Sequence, residues 1–170
     1  MKLSSSVDYF SKLDLFIYMK LYFVVFQGME NILPEHVYWK ELCKILLEIM
    51  NLSQDSVPFR EPVNILRVAV YLQVIDLPMD LQTVREKLEA NKYATPNEFA
   101  KDVRLIFENS KKLYPNTKYK IYGQTDRLSF LFEEHFHNIL ASYETRKTKD
   151  GCKCKLNCLT DLVNLQFYFF

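Results

Sequence analysis

The chain has 170 residues, 49% of them apolar, and Lys+Arg 22 against Asp+Glu 21 leaves a formal charge of +1. That length supports one sizeable core and hardly two, and balanced charge points to neither a nucleic acid nor an acidic membrane surface as the main partner. Three glycines in all exclude a glycine-rich phosphate loop and a turn-rich β-sandwich, so an all-α fold is expected.

Residues 1–36 differ in character from the middle of the chain and read as an appendage. Lys2 precedes an apolar run from Leu13 to Phe26, but Asp14 and Lys20 interrupt it and no small-residue cleavage site follows. The run is too short to span a bilayer and reads as an interfacial or core-packing helix rather than a secretory signal. No membrane association is expected.

Val37 to Leu52 predicts the first helix of the central unit, with Val37, Trp39, Leu42, Cys43, Leu46, Leu47, Ile49 and Met50 at helical spacing. Cys43 falls on that pattern as a small buried hydrophobe. The polar cluster Ser53-Gln54-Asp55-Ser56 stops the helix. An extended apolar segment then runs from Val57 to Pro78, where Pro58 and Pro62 forbid a continuous helix. Phe59, Val63, Ile65, Leu66, Tyr71, Val74, Ile75 and Met79 make it too apolar for an idle linker. Long, ordered, apolar loops in a helical domain are uncommon and usually functional; this one is expected to wall a pocket.

Asp80 is suited to N-cap a second helix with Leu81, Val84 and Leu88 facing inward. Asn91 to Thr95 makes the next turn. Thr95-Pro96-Asn97-Glu98 is a capping box with proline at the first helical position. The third helix turns Phe99, Val103, Phe107 and Ser110 to one face, with Leu105-Ile106 adjoining, and Pro115 ends it. After the polar loop from Asn116 to Lys120, a fourth helix starts near Ile121-Tyr122. It carries Leu128, Leu131, Phe132, Phe136, Ile139, Leu140 and Tyr143 to about Thr145. Gly123 near its start costs about 1 kcal/mol relative to Ala and weakens the first turn.

Residues 148–170 form a tail containing Cys152, Cys154 and Cys158 but no His, where Asp161 could in principle serve as a fourth ligand for zinc. No metal site is expected there. Nothing suggests a disulfide framework, so a reducing compartment is the default. Four helices with short connections favour an up-down bundle, and the two unusual loops then emerge at the same end.

Several stretches carry a resemblance to a known family. They are Pro58-Phe59-Arg60, Pro62-Val63, Ile75-Asp76, Pro78-Met79-Asp80, Thr83-Val84-Arg85, Asp102 to Phe107, Asn109-Ser110-Lys111, Ile121-Tyr122, Arg127-Leu128-Ser129 and Phe132-Glu133-Glu134. Over roughly Tyr38 to Lys147 the chain resembles a bromodomain, most closely the second bromodomain of the bromodomain-and-WD-repeat proteins. No WD repeats are present in these 170 residues. The division expected is 1–36 appendage, 37–147 bromodomain and 148–170 tail.

The resemblance implies a left-handed up-down four-helix bundle that binds acetylated lysine on histone-like tails in the nucleus, without catalysis or cofactor. An acetylated side chain has lost its charge, so an apolar slot with a few placed donors accepts it and rejects an ammonium. Carried over by position, Pro58 and Phe59 correspond to the shelf, Val63 to the apolar wall, Tyr71 to the water-binding tyrosine and Ile121 to the gatekeeper. The family's turn before that tyrosine is replaced here by Val68-Ala69-Val70. Counting from Asn109-Ser110-Lys111 places Tyr114 where the family has its anchoring Asn, preceded by Leu113. The nearest relatives have Thr there. Asn116, two residues on, is the alternative donor.

Two readings follow: an acetyl-lysine reader of weakened affinity, and a degenerate bromodomain that acts as a structural or protein-interaction domain. Glu134 and His137 have the Glu-x-x-His spacing of di-iron bundles, but no second such pair exists, and a solvated helix face is expected instead. No nucleophile–base pair is apparent. Lys111, Lys112, Lys118 and Lys120 form a basic patch near the expected pocket mouth, where weak contact with nucleic-acid phosphate is the sharper alternative to a solvated loop. A monomer is expected.

Overall fold

The computed structural model describes residues 35–63 and 71–151. Among them are five helices and no strand: α1 (Glu35–Leu52), α2 (Tyr71–Val74), α3 (Leu81–Glu89), α4 (Pro96–Leu113) and α5 (Lys120–Gly151), with a 3-10 turn over Gln54–Phe59. The long helices α1, α3, α4 and α5 pack around one core, and α1 and α4 both lie along α5. The expected all-α bundle is the observed one. The apolar runs of residues 13–26 and 64–70, and the tail cysteines, lie outside the described residues.

Each helix start follows its capping chemistry. Asp80 caps α3, its Oδ1 accepting from Thr83 N at 2.8 Å and its Oδ2 from the Thr83 hydroxyl at 2.7 Å. Thr95 caps α4, with Pro96 in the first turn. The Glu98 carboxylate reaches back to Ala94 N, at 2.8 Å, one residue before the cap. At the end of α3, Asn91 takes φ 55°, a left-handed conformation Asn tolerates. Lys92 N bonds Lys87 O across it at 2.9 Å, which closes the helix as a Schellman motif does.

Trp39, Leu46, Leu47, Met50, Leu81, Val84, Leu88, Phe99, Val103, Leu128, Phe132 and Phe136 are essentially inaccessible to water, as is Cys43. Phe132 and Phe136 stack at 5.3 Å, and Phe99 and Phe107 pack on this pair from α4. Arg104 grips Glu133 through two bonds of 2.7 and 2.8 Å while its guanidinium lies over the Phe136 ring. This column fixes how α4 and α5 face each other, and through them the loop end.

Four local expectations differ from what is observed. The segment expected to run extended to Pro78 contains α2 at Tyr71–Val74. The segment after α1 is not extended at once: Ser53 N-caps the 3-10 turn, and Ser56 donates through N and Oγ to Ser53 O. Pro58 is tolerated inside this turn because so short a helix needs few backbone donors. Gly123 leaves α5 helical from Lys120 onward. The same helix runs past Thr145 to Gly151, with the Thr145 and Thr148 hydroxyls satisfied by Ala141 O and Thr145 O.

Candidate functional site

Two elements of the long connection between α1 and α3 attach to α5 and α4. The 3-10 turn packs on α5, and α2 packs on α4. Asp55 accepts two bonds from Arg127 of α5, at 2.7 and 2.8 Å. From the other side, Asn109 of α4, buried, donates through Nδ2 to Leu77 O at 2.7 Å. The long connection is thus tied to the bundle near both of its ends.

The expected first wall begins at Pro58 and Phe59. Pro58 is half-buried, whereas Phe59 is 6% exposed and belongs to the main core. Arg60 holds this shelf. Its guanidinium donates to Asn51 O at 2.6 Å, Ser53 O at 3.2 Å and Ser56 Oγ at 2.9 Å. Asn51 O is one of the open carbonyls at the end of α1, and Ser53 O just past it also accepts from Ser56 N and Oγ, so one side chain ties the helix terminus to the residues that follow it. The Arg60 carbonyl also accepts from Gln82 N at 3.1 Å, which joins the shelf to the first turn of α3. Arg60 was not singled out from sequence, because its reach back over nine residues leaves no spacing signal.

Val63 is half-buried. Tyr71 opens α2 and is 4% exposed. Burial raises its hydroxyl pKa above the ordinary value, and the nearby Asp80 carboxylate adds to the shift. It therefore stays protonated, able to donate and to accept. Residues 68–70, where the family's turn is replaced, lie outside the described residues.

The second wall is built differently. Leu113 ends α4 half-buried, and Tyr114 is its C-cap at φ −126° and ψ 73°. That conformation follows from Pro115, which disfavours the α region for the residue before it. Tyr114 N donates to Ser110 O at 2.9 Å. Its half-buried ring packs edge-on against Tyr119, with centroids 5.5 Å apart. Asn116 is exposed, and its Oδ1 accepts from Lys118 N at 3.0 Å. The acceptor of its carboxamide is thus used inside its own loop.

Ile121 is half-buried against the core. Its carbonyl accepts from the Thr125 hydroxyl at 2.7 Å, and Thr125 Oγ1 lies 2.7 Å from Ser110 Oγ. Thr125 has one hydroxyl proton, so Ser110 is the donor of that pair. Ser110 thereby fastens both halves of the second wall: its carbonyl holds Tyr114 and its hydroxyl reaches Ile121 through Thr125. Ser110 was placed on the inner face of its helix from sequence, but the link to Thr125 was not legible there.

The basic patch divides on inspection. Lys111 pairs with Asp126 at 2.8 Å, and this hydrogen bond raises its ammonium pKa. Lys112, Lys118 and Lys120 are exposed. Glu134 and His137 are both exposed on α5. Among the described residues no group of three or more His, Cys, Asp or Glu could hold a metal ion, and no helix is long and apolar enough to cross a membrane.

Comparison with known proteins finds matches over the central part of the chain. Residues 42–125 match the family model described as Bromodomain. The chain is 42% identical over 73 residues to "Bromodomain adjacent to zinc finger domain protein 2" of Caenorhabditis elegans, which is 43% of this chain and 5% of that protein. It is 46% identical over 68 residues to "Bromodomain adjacent to zinc finger domain protein 2B" of Homo sapiens, or 40% of this chain and 3% of the relative. It is 35% identical over 124 residues to "Transcription factor GTE11" of Arabidopsis thaliana, 72% of this chain and 19% of the relative. The chain therefore spans only a small part of the curated relatives it matches.

Proposed function

We propose, from the premise that the chain carries a bromodomain-type unit over residues 42–125, that it reads acetylated lysine and has no catalytic role. The observation that carries this reading is Tyr71, buried on the same connection as the core-anchored Phe59 and with its hydroxyl kept protonated. Such a hydroxyl holds a water that hydrogen-bonds a neutral acetyl carbonyl, while the apolar residues Phe59, Val63 and Ile121 refuse an ammonium. Pro58 and Leu113 complete the apolar lining. Histone tails are the peptide class, the nucleus is the compartment, and the unit works as a monomer.

Within the bromodomains we place it beside the second bromodomain of the bromodomain-and-WD-repeat proteins, on Pro58-Phe59-Arg60, Asn109-Ser110-Lys111 and Arg127-Leu128-Ser129. A departure from Asn at the anchor position is common to both. Affinity is weak, because an acetyl carbonyl lacking one donor forfeits about 1–3 kcal/mol.

Titration of the full chain with acetylated and unacetylated histone-tail peptides tests the reading. Tighter binding of the acetylated member is expected, and equal or absent binding to both overturns it. The competing reading, a structural or protein-interaction domain with a degenerate pocket, is favoured by the packing of Tyr114 against Tyr119. It predicts that Tyr114→Asn or Tyr114→Thr creates acetyl-lysine binding where none existed.

A further inference from the structure

We infer that the second loop selects acetylated-lysine peptides with acidic flanking residues, because it presents an unneutralised row of lysines at the loop end of the bundle. The inference rests on the acetyl-lysine reading above and names the peptide class that reading leaves open. From Asn109 to Thr125 the chain has Lys111, Lys112, Lys118 and Lys120 and neither Asp nor Glu. Lys111 is neutralised by Asp126. Lys112, Lys118 and Lys120 take part in none of the ion pairs among the described residues.

Of the acids that flank the loop, Asp126 is engaged by Lys111 and Asp55 by Arg127, whereas Glu108 stands one turn before Lys112 on α4, so Lys118 and Lys120 carry the unopposed charge. The loop also has a defined shape. Asn116 accepts from Lys118 N at 3.0 Å and from Tyr119 N at 3.2 Å, and Tyr119 O accepts from Tyr122 N at 3.0 Å. This turn carries Lys118 and Lys120 into the start of α5, beside Ile121.

A peptide whose acetyl-lysine enters the slot lays its neighbouring residues across this rim. Two or three extended residues span about 7–10 Å, within one Debye length of about 10 Å at 0.1 M salt. A flanking carboxylate gains attraction from the lysine row, and a flanking lysine or arginine is repelled by it. The absence of a carboxamide at position 114 lowers the share of affinity that the acetyl group supplies, so flank charge decides more of the total. Among histone-like tails this favours stretches whose neighbouring cations are acetylated or balanced by acids.

The test uses the full chain and three peptides identical except for Glu, Ala or Lys on both sides of one acetyl-lysine, each with its unacetylated twin. At low salt the Glu-flanked peptide is expected to bind about tenfold tighter than the Lys-flanked one, with Ala between. The spread is expected to collapse at about 0.5 M salt. The double variant Lys118→Glu with Lys120→Glu should reverse the order while its far-ultraviolet circular dichroism stays unchanged. A flat order at low salt, with every acetylated peptide still outbinding its twin, overturns the inference and leaves the acetyl-lysine reading standing. If no acetylated peptide outbinds its twin, both fall. A duplex DNA included as a further probe decides against the peptide if the double variant loses DNA binding but keeps the peptide order.

Discussion

Ser110 of α4 and Thr125 of α5 place their hydroxyls 2.7 Å apart, both side chains buried, and Thr125 passes the bond on to Ile121 O. The direction of this relay makes the two residues unequal. Thr125→Val leaves the buried Ser110 donor without its partner, while Ile121 O keeps only its helix bond from Thr125 N, and is expected to cost about 2 kcal/mol. Ser110→Ala removes only the outer donor and should cost about 1 kcal/mol or less. The double variant should cost less than the sum by at least about 0.5 kcal/mol. Urea titrations of the four proteins measure this, and equal single-variant costs would refute the stated direction.

At the pocket, Tyr71→Phe removes the hydroxyl but keeps the ring. Acetyl-peptide affinity should fall by about 1 kcal/mol, roughly fivefold, with unchanged thermal stability. Tyr114→Asn supplies a carboxamide at the helix cap and should raise affinity by about 1–2 kcal/mol. Calorimetric titration distinguishes the two, since the first variant loses binding and the second gains it.

Arg60 joins shelf to helix end through three side-chain bonds. Arg60→Met removes the charged donor to Asn51 O, which keeps only the Ser56 hydroxyl at 3.4 Å, and should destabilise by about 1.5–3 kcal/mol, the range for bonds to a charged group. Arg60→Lys should recover less than half, because an ammonium cannot reproduce the planar fork. Thermal melts give the ranking; full recovery by Lys would show that charge alone matters there.

His135 is half-buried on α5, and desolvation lowers its pKa below 6.5, partly opposed by Glu134. The unfolded chain therefore takes up this proton at a higher pH than the folded one. Stability is greatest above about 6.5 and is lost as pH falls from there toward the depressed folded value. The urea midpoint should drop between pH 7.5 and 5.5, and His135→Gln should flatten that slope. A steeper slope in the variant would contradict the assigned direction.

What the sequence reveals here follows the range over which each signal acts. The starts of α3 and α4 were legible because Asp80 and Thr95 bond residues three positions on. The apolar face of α4 was legible for the same local reason. Arg60 and the Lys111–Asp126 pair act across 9 and 15 residues, through turns whose geometry no short pattern encodes. Tyr114 shows the limit most clearly. Its identity at the anchor position could be read, but its ring direction is set by Tyr119 beyond the proline turn. The same holds for Asn116, named as a substitute donor before its acceptor was seen bonded to Lys118 N.

Phe59 is part of the core as well as the shelf, and the two walls are therefore held under unequal pressure. Truncating a buried phenylalanine costs about 3–5 kcal/mol, against a typical domain stability of about 5–15 kcal/mol. A half-buried helix cap such as Tyr114 bears no comparable burden. Any lineage of this domain is obliged to keep its shelf whatever it binds, while position 114 is free to drift. Changes of ligand preference should then accumulate at the end of α4, where the fold has least to lose.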